Sequence, residues 1–164
     1  MRPHPLGSSQ NQYCAEAANA ARTSASEFWT EANLIRPRIL LADDHHEILE
    51  AEIALLLPHF DIVGVTTDGA ALVSAVQRLN PDVVVVDITM PLMNGIEAVQ
   101  KLMKSGCTAK FVFLTVNTGP EFVKACQEAG ALGYVWKSRM KAHLIPAISA
   151  ALKNLTYVSP VASA

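Results

Sequence analysis

Acidic side chains follow two of the predicted strands, and this arrangement could do chemistry. Asp87 comes directly after four consecutive valines, Val83–Val86, a run typical of a strand buried on both faces of a parallel sheet. Asp43 and Asp44 come directly after a shorter apolar run, Ile39–Ala42. The carboxyl ends of parallel strands meet at one edge of a sheet, and ligands bind at that edge. We therefore expect the three carboxylates to lie close together.

Two further polar residues end strands at the same predicted edge. Thr115 follows an apolar run over 111–114, and Lys137 follows a run over 133–136. Clustered carboxylates repel one another unless a cation lies among them, and a few oxygen ligands with water suit Mg²⁺. The metal ion, the Lys137 ammonium and the Thr115 hydroxyl could hold a phosphoryl group while a carboxylate attacks it. The combination predicts a magnesium-dependent phosphoryl-transfer site.

Each of these residues taken alone also has an ordinary structural interpretation. The Asp43-Asp44 pair is equally compatible with a helix N-cap, since Asp is common at that position. Lys137 alone is typical of a solvated surface, and Thr115 alone of an ordinary strand. The phosphoryl-transfer hypothesis therefore depends on their meeting at one edge.

Strands and helices alternate from residue 38 onward. Helical spacing of apolar residues predicts helices over 47–57, 68–79, 96–103, 120–129 and 141–153, and apolar runs predict strands over 39–42, 61–66, 83–86, 111–114 and 133–136. Pro146 should bend the last helix or delay its start. Alternating strands and helices predict an α/β fold, a doubly wound parallel sheet between two layers of helices.

Composition restricts the classes of function. A chain of 164 residues suits one domain, and no apolar stretch approaches the length of a membrane helix. The net charge of −2 without a basic block argues against nucleic acid as the main partner. The cysteines lack CxxC spacing, which predicts reduced thiols in a cytoplasmic protein. We interpret His45 and His46 as solvent-facing residues rather than as a ligand pair.

Four short motifs resemble the receiver domain of bacterial two-component response regulators, in order and in spacing. They are Ala-Asp43-Asp44-His, Val-Val-Asp87-Ile-Thr-Met-Pro, Phe-Leu-Thr115 and Gly-Tyr134-Val-Trp-Lys137. The phrases Gly-Ala-Leu-Gly-Tyr-Val-Trp-Lys and Leu-Thr-Tyr-Val-Ser-Pro most resemble receivers that precede a LuxR-type helix-turn-helix, the NarL/FixJ subfamily. The resemblance implies a flavodoxin-like (βα)5 three-layer fold with a five-stranded sheet in the order 2-1-3-4-5.

The same resemblance divides the chain into three segments. Residues 37–154 would form the receiver domain, preceded by an N-terminal extension over 1–36 that is disordered or weakly helical. Residues 155–164 would be a C-terminal tail, the remnant of a linker. A DNA-binding module would be expected after Ser159-Pro160, yet the sequence ends at Ala164.

Roles at the site follow from the resemblance. Asp87 would be the phosphoacceptor, taking its phosphoryl group from a sensor histidine kinase or a histidine phosphotransfer protein. Mg²⁺ would be bound by Asp87, by Asp44 directly and by Asp43 through a water molecule, with the Thr89 backbone carbonyl as a further ligand.

The resemblance also implies a conformational switch. Thr115 and Lys137 would hold the phosphoryl oxygens, and Tyr134 would turn inward as Thr115 moves towards the phosphate. The output would be a contact with a downstream protein through a face around Phe122, Tyr134 and Trp136, and a homodimer is one option. Such a protein catalyses only its own phosphorylation and dephosphorylation, and this chain alone would bind neither nucleic acid nor a membrane.

Two other functions are weighed against this signalling role. The chain could be the receiver fragment of a DNA-binding transcriptional regulator. It could instead be a phosphohydrolase with an aspartyl nucleophile, although haloacid-dehalogenase-like phosphatases need a second Asp where this chain has Thr89. A nucleotide-binding module is disfavoured because neither GxGxxG nor GxxxxGK[ST] occurs.

Overall fold

A computed structural model of the chain describes residues 35–160. Residues 1–34, which make up nearly all of the predicted N-terminal extension, lie outside the described residues, as do residues 161–164. The predicted segment boundaries stay predictions. No helix within residues 35–160 has the length and apolar character needed to cross a lipid bilayer.

Strands and helices alternate as the sequence predicts. Their order is β1 (Arg38–Ala42), α1 (His46–Leu56), β2 (Asp61–Thr66), α2 (Gly69–Leu79), β3 (Val83–Val86), α3 (Gly95–Lys104), β4 (Lys110–Thr115), α4 (Pro120–Ala129), β5 (Gly133–Trp136), a 3-10 turn (Lys137–Arg139), α5 (Met140–Leu152) and β6 (Tyr157–Val158). The strands form one parallel sheet in the order β2-β1-β3-β4-β5-β6. The predicted fold and strand order are confirmed, with one short strand added at the end.

The pleat of the sheet divides the core into two layers. On one face, Leu41, Val85 and Val135 pack with the apolar sides of α1 and α5. On the other face, Val86 and Phe113 pack with α2, α3 and α4. Successive side chains of a strand point to opposite faces, so a strand buried between two helical layers must be apolar at every position. This explains the unbroken valine run of β3, whose four residues are fully buried.

The added strand β6 lies in the segment predicted to be a tail. Tyr157 pairs with Gly133, and Val158 pairs with Tyr134. Immediately after the strand, the Ser159 backbone N–H donates to the Tyr134 carbonyl at 2.8 Å. The Ser159 hydroxyl accepts a hydrogen bond from the Trp136 backbone N–H at 3.2 Å. The edge of β5 is therefore covered by residues 157–159.

Helix α5 starts at Met140 and runs through Pro146, so the predicted delay of its start is wrong. The proline removes the intrahelical hydrogen bond that the Ala142 carbonyl would otherwise accept. Ala142 and Pro146 are both exposed, so water can bind that carbonyl instead. The predicted bend stays a prediction.

The contacts of Ser159 generate a stability prediction. Ser159→Ala should lower the free energy of unfolding by about 1–2 kcal/mol, because it leaves the buried Trp136 N–H without its acceptor. Urea unfolding followed by circular dichroism measures the change. The control is Ser74→Ala on the exposed face of α2, where a small change of either sign is expected. Equal stability of the Ser159 variant and the parent would show that the contact contributes nothing.

Candidate functional site

The register of the sheet places the predicted site residues side by side. Ala42 of β1 pairs with Val86 of β3, so Asp43 and Asp87 are the next residues on neighbouring strands. The Asp87 backbone N–H donates to the Ala42 carbonyl at 2.9 Å, which fixes this position. On the other side, Trp136 pairs with Thr115, and Lys137 is the next residue of the chain.

Lys137 lies between two nearly buried carboxylates. Its Nζ is 2.7 Å from Asp43 Oδ2 and 2.9 Å from Asp87 Oδ2. The contact with Asp87 is an aligned hydrogen bond, whereas the contact with Asp43 is close but poorly aligned, so that this oxygen has no hydrogen-bond partner among the described residues. Two adjacent buried carboxylates repel each other strongly, and the ammonium between them offsets that repulsion.

Burial and charge act in opposite directions on this pair. Burial raises the pKa of Asp87, while the hydrogen bond and the charge of Lys137 oppose the rise. Burial alone would lower the pKa of Lys137, but the close negative charges of Asp43 and Asp87 outweigh that effect and raise the pKa. Lys137 therefore stays protonated at neutral pH. Its positive charge favours the ionised form of Asp87 and so opposes the rise in pKa that burial causes.

His45 also contacts the carboxylates of this site, and the sequence did not predict these contacts. Its ring Nδ1 lies 3.0 Å from Asp43 Oδ1 and 3.1 Å from Asp44 Oδ1. The ring is 60% exposed, but its inner edge faces the carboxylates. Both rings are exposed, as predicted, His46 to 86% and His45 to 60%, but the prediction did not include the contacts of His45 Nδ1 with two carboxylates. The only sequence signal is the position of His45 directly after the Asp pair.

Asp43, Asp44 and Asp87, here called the acidic cluster, can hold a divalent cation together with His45. Each of the four residues offers one ligand atom, and these atoms lie within 4.8 Å of one another. Asp87 Oδ1 is buried without a hydrogen-bond partner among residues 35–160, so an acceptor is left for a cation. Carboxylate oxygens are the ligands that Mg²⁺ prefers, and the residues present therefore fit that ion.

The Thr89 carbonyl stays a prediction as a metal ligand. Thr89 lies in the loop after β3 and is exposed. Gly95 packs against the start of this loop. Gly95, the first residue of α3, donates its N–H to the Ile88 carbonyl at 2.7 Å, and a side chain at Gly95 would collide with the Asp87 carbonyl. The close approach of α3 to the backbone of Asp87 therefore requires glycine.

A cavity of about 670 Å³ lies beside the acidic cluster and is lined by Asp44, His45, His46, Glu47, Ile48, Val116 and Lys137. Its lining includes exposed residues, His45 and Val116 among them. The cluster is therefore accessible to a partner molecule, although Asp43 and Asp87 themselves are almost wholly covered.

Thr115 is at the same edge but faces the other side of the sheet. Asp43, Asp87 and Lys137 continue the pleat positions that point towards α1 and α5, whereas Thr115 and Tyr134 continue those that point towards α2–α4. Lys137 accordingly contacts both carboxylates, while the described contacts of the Thr115 hydroxyl are with another residue. The predicted site is thus split into two groups.

Asn117 connects Thr115 to the aromatic residues of β5. Its backbone N–H and its side-chain amide donate to Thr115 Oγ1 at 3.2 and 3.0 Å. Its carbonyl accepts from the Tyr134 hydroxyl at 2.6 Å and from Trp136 Nε1 at 3.0 Å. The Tyr134 and Trp136 rings meet edge to face, with centroids 5.6 Å apart. Burial raises the pKa of Tyr134, so its hydroxyl remains a donor.

The predicted output face stays a prediction, and two of its three aromatic residues are buried in this conformation. Tyr134 is 1% exposed and Trp136 is also buried, while Phe122 is half-buried. Because the rings of β5 point inward to Asn117 and β6 covers the strand edge, neither Tyr134 nor Trp136 is available to a partner in this conformation.

Glu52 is a buried acid beneath the acidic cluster. It lies on α1, is 1% exposed, and its Oε2 has no hydrogen-bond partner among the described residues. Burial raises its pKa to about 9, with a further rise from the charge of Asp43 and a partial offset from Lys137. Glu52 is therefore protonated at neutral pH in the metal-free protein.

This raised pKa makes stability depend on pH. Unfolded Glu52 ionises near 4.5, whereas folded Glu52 keeps its proton up to about pH 9. The unfolded state binds fewer protons in this range, so the free energy of unfolding falls as pH rises between the two values. In metal-free buffer, Glu52→Gln should be more stable than the parent by about 2–4 kcal/mol at pH 8, and by much less at pH 5.

Urea unfolding at several pH values measures this difference. The control is Glu50→Gln, an exposed carboxylate on the same helix, whose stability should follow the parent across the range. A Glu52→Gln variant that shows the same pH dependence as the parent would contradict the raised pKa.

Comparisons with known proteins agree with this architecture. Residues 39–149 match the response regulator receiver domain family, and this range contains every predicted site residue. The chain is 30% identical over 132 residues to the transcriptional regulatory protein DegU of Brevibacillus brevis, covering 79% of this chain and 56% of DegU. It is 35% identical over 120 residues to LiaR of Bacillus subtilis (strain 168), covering 71% of this chain and 56% of LiaR.

A solved structure of a response regulator is similar to this chain in both fold and sequence. The crystal structure of a two-component response regulator of the LuxR family from Aurantimonas sp. SI85-9A1 superimposes with a TM-score of 0.72 at 34% identity, covering 76% of this chain and 91% of that chain. The chain spans a little over half the length of the two regulators above, and the match falls on the receiver region. The chain therefore belongs to the receiver-domain family of two-component response regulators, with LuxR-type regulators as its relatives.

Proposed function

We propose that this protein is a phosphorylation switch in which Asp87 accepts a phosphoryl group from a sensor histidine kinase or a histidine phosphotransfer protein. The observation that carries the proposal is the position of Lys137 Nζ, 2.7 Å from Asp43 and 2.9 Å from Asp87, at the carboxyl edge of the sheet. It brings an ammonium, a nucleophile and a potential metal ligand together, and an adjoining cavity gives access.

The transfer step requires an ionised Asp87. One carboxylate oxygen attacks phosphorus, a P–O bond forms, and the P–N bond of the donor phosphohistidine breaks with its electron pair leaving on the imidazole nitrogen. Lys137 can donate to the transferred oxygens from its present position. Asp43 and Asp44 would hold Mg²⁺, which supplies positive charge to those oxygens.

The Asn117 network supports a signalling response. To reach a phosphoryl group on Asp87, the Thr115 hydroxyl would have to turn from its present side of the sheet and leave the two hydrogen bonds that it accepts from Asn117. Movement of Thr115 would shift Asn117, and with it the carbonyl that binds Tyr134 and Trp136. A new charge would thereby alter the packing of α4 and of the strand edge beside β6.

The output is proposed to be a contact with a downstream protein in the cytoplasm, with homodimerisation as one form of it. The protein would catalyse only its own phosphorylation and dephosphorylation and, by itself, bind neither nucleic acid nor a membrane. A second candidate is favoured by the comparisons, because DegU and LiaR are transcriptional regulatory proteins of which this chain spans 56%. In that case this chain is the receiver part of a DNA-binding regulator.

Phosphorylation can be tested with a small donor. After incubation with Mg²⁺ and acetyl phosphate, intact mass should increase by one phosphoryl group in the parent and not in Asp87→Asn, because the amide is not a nucleophile. EDTA should abolish the gain. The control is Asp61→Asn, an exposed carboxylate of β2, which should be phosphorylated like the parent.

Three results would contradict the proposed function. They are no mass gain in the parent, an equal gain in Asp87→Asn, and a gain that persists after Mg²⁺ is removed. The first would mean that the protein is not phosphorylated by a small donor, the second would place the phosphoryl group elsewhere, and the third would remove the metal from the mechanism.

A further inference from the structure

We propose that His45 Nδ1 is a direct ligand of the divalent ion in the acidic cluster. This inference rests on the proposed function, since it concerns the same metal site. A nitrogen ligand among carboxylate oxygens suits borderline transition ions better than it suits Mg²⁺. The site should therefore bind ions such as Mn²⁺ or Co²⁺ more tightly, relative to Mg²⁺, than carboxylates alone would allow.

Distances around the ring nitrogen fit a shared ion. Neighbouring ligands of an octahedral ion with bonds of about 2.1 Å lie about 3 Å apart, and opposite ligands lie about 4.2 Å apart. Nδ1 is 3.0 Å from Asp43 Oδ1 and 3.1 Å from Asp44 Oδ1, as expected for adjacent ligands. Its distance to Asp87 Oδ2, the oxygen that accepts from Lys137, is 3.9 Å, so the carboxylate of Asp87 is also within the range that one ion can bridge.

The backbone fixes the start of the His45 side chain at this edge. The His45 N–H donates to Asp43 Oδ1 at 2.8 Å, which closes a tight turn at the end of β1. His45 occupies the N-cap position of α1, with φ −97° and ψ 107°, yet its side chain makes no capping hydrogen bond. The ring is therefore not engaged in holding the helix, and its Nδ1 is directed at the carboxylates instead.

An independent observation points to a ligand at this position. Asp87 Oδ1 belongs to a side chain that is 3% exposed, and it has no hydrogen-bond partner among the described residues. A buried carboxylate oxygen without a donor is costly, and a cation among these atoms would satisfy it. Asp43 Oδ2 also lacks an aligned hydrogen bond. One ligand atom from each of Asp43, Asp44, His45 and Asp87 lies within 4.8 Å of the others.

The test uses Mn²⁺ as the probe with the full chain. Bound Mn²⁺ is titrated by electron paramagnetic resonance, and Mg²⁺ is then added to displace it, which yields both affinities. Electron spin echo envelope modulation reports whether a nitrogen is bound to the ion. The variants are His45→Ala and, as the matched control, His46→Ala, whose ring is 86% exposed and lies beside Glu50.

The expected results separate the two histidines. The parent and His46→Ala should show nitrogen modulation from a coordinated imidazole, and His45→Ala should lose it. His45→Ala should weaken Mn²⁺ binding about 10-fold and Mg²⁺ binding by much less, so that the preference for Mn²⁺ narrows.

Contrary outcomes are distinguishable. Binding of Mn²⁺ without nitrogen modulation in the parent would overturn the role of His45 and leave the carboxylate site intact. Tighter binding of both ions by His45→Ala would show that the ring competes with the ion, which also overturns it. No Mn²⁺ binding by the parent would remove the metal site itself, and with it the magnesium-dependent part of the proposed function.

Discussion

The contact of one ammonium with two nearly buried carboxylates is the constraint on which the site depends. Lys137 Nζ lies within 2.9 Å of both Asp43 and Asp87. Each buried charge costs several kcal/mol in lost hydration, which is offset only when an opposite charge is held in good geometry. The sheet supplies that geometry, because the register of β1 with β3 and of β4 with β5 places all three residues at one edge. A shift of register by one residue would point the carboxylates to the opposite face.

Because of the pleat, the two faces of the sheet carry different polar side chains at this edge. The face towards α1 and α5 carries Asp43, Asp87 and Lys137, with the protonated Glu52 beneath them. The face towards α4 carries Thr115 and the inward-pointing Tyr134. Asn117 hydrogen-bonds to Thr115, Tyr134 and Trp136. These hydrogen bonds connect Thr115 to both aromatic residues of β5.

Most of the fold, and the meeting of three charged side chains at one edge of the sheet, could be predicted because they depend on strong local patterns. The valine run of β3 determines a strand covered on both faces, and the residue after it must then lie at the sheet edge. That argument correctly placed Asp43, Asp87 and Lys137 together. It placed Thr115 at the same edge but did not use the alternation of the pleat, which assigns it to the other face.

The features that were missed depend on tertiary contacts rather than on periodicity. A strand of two residues such as β6 has no measurable alternation, and it exists because Ser159 and its neighbours complete the hydrogen bonds of β5. The direction of the His45 ring follows from the turn at Asp43, which spacing does not report. Glu52 did leave a signal, because it lies three residues after Leu49 and four before Leu56, both of which are buried.

The most direct test of the central contact is a double-mutant cycle between Asp87 and Lys137 in metal-free buffer. The free energies of unfolding of the parent, Asp87→Asn, Lys137→Met and the double variant would be compared by urea denaturation. Lys137→Met should cost much more when Asp87 is present than when Asn replaces it, with a coupling energy of about 1–3 kcal/mol. Additive effects, with no coupling beyond about 0.5 kcal/mol, would contradict the account that this ion pair organises the site.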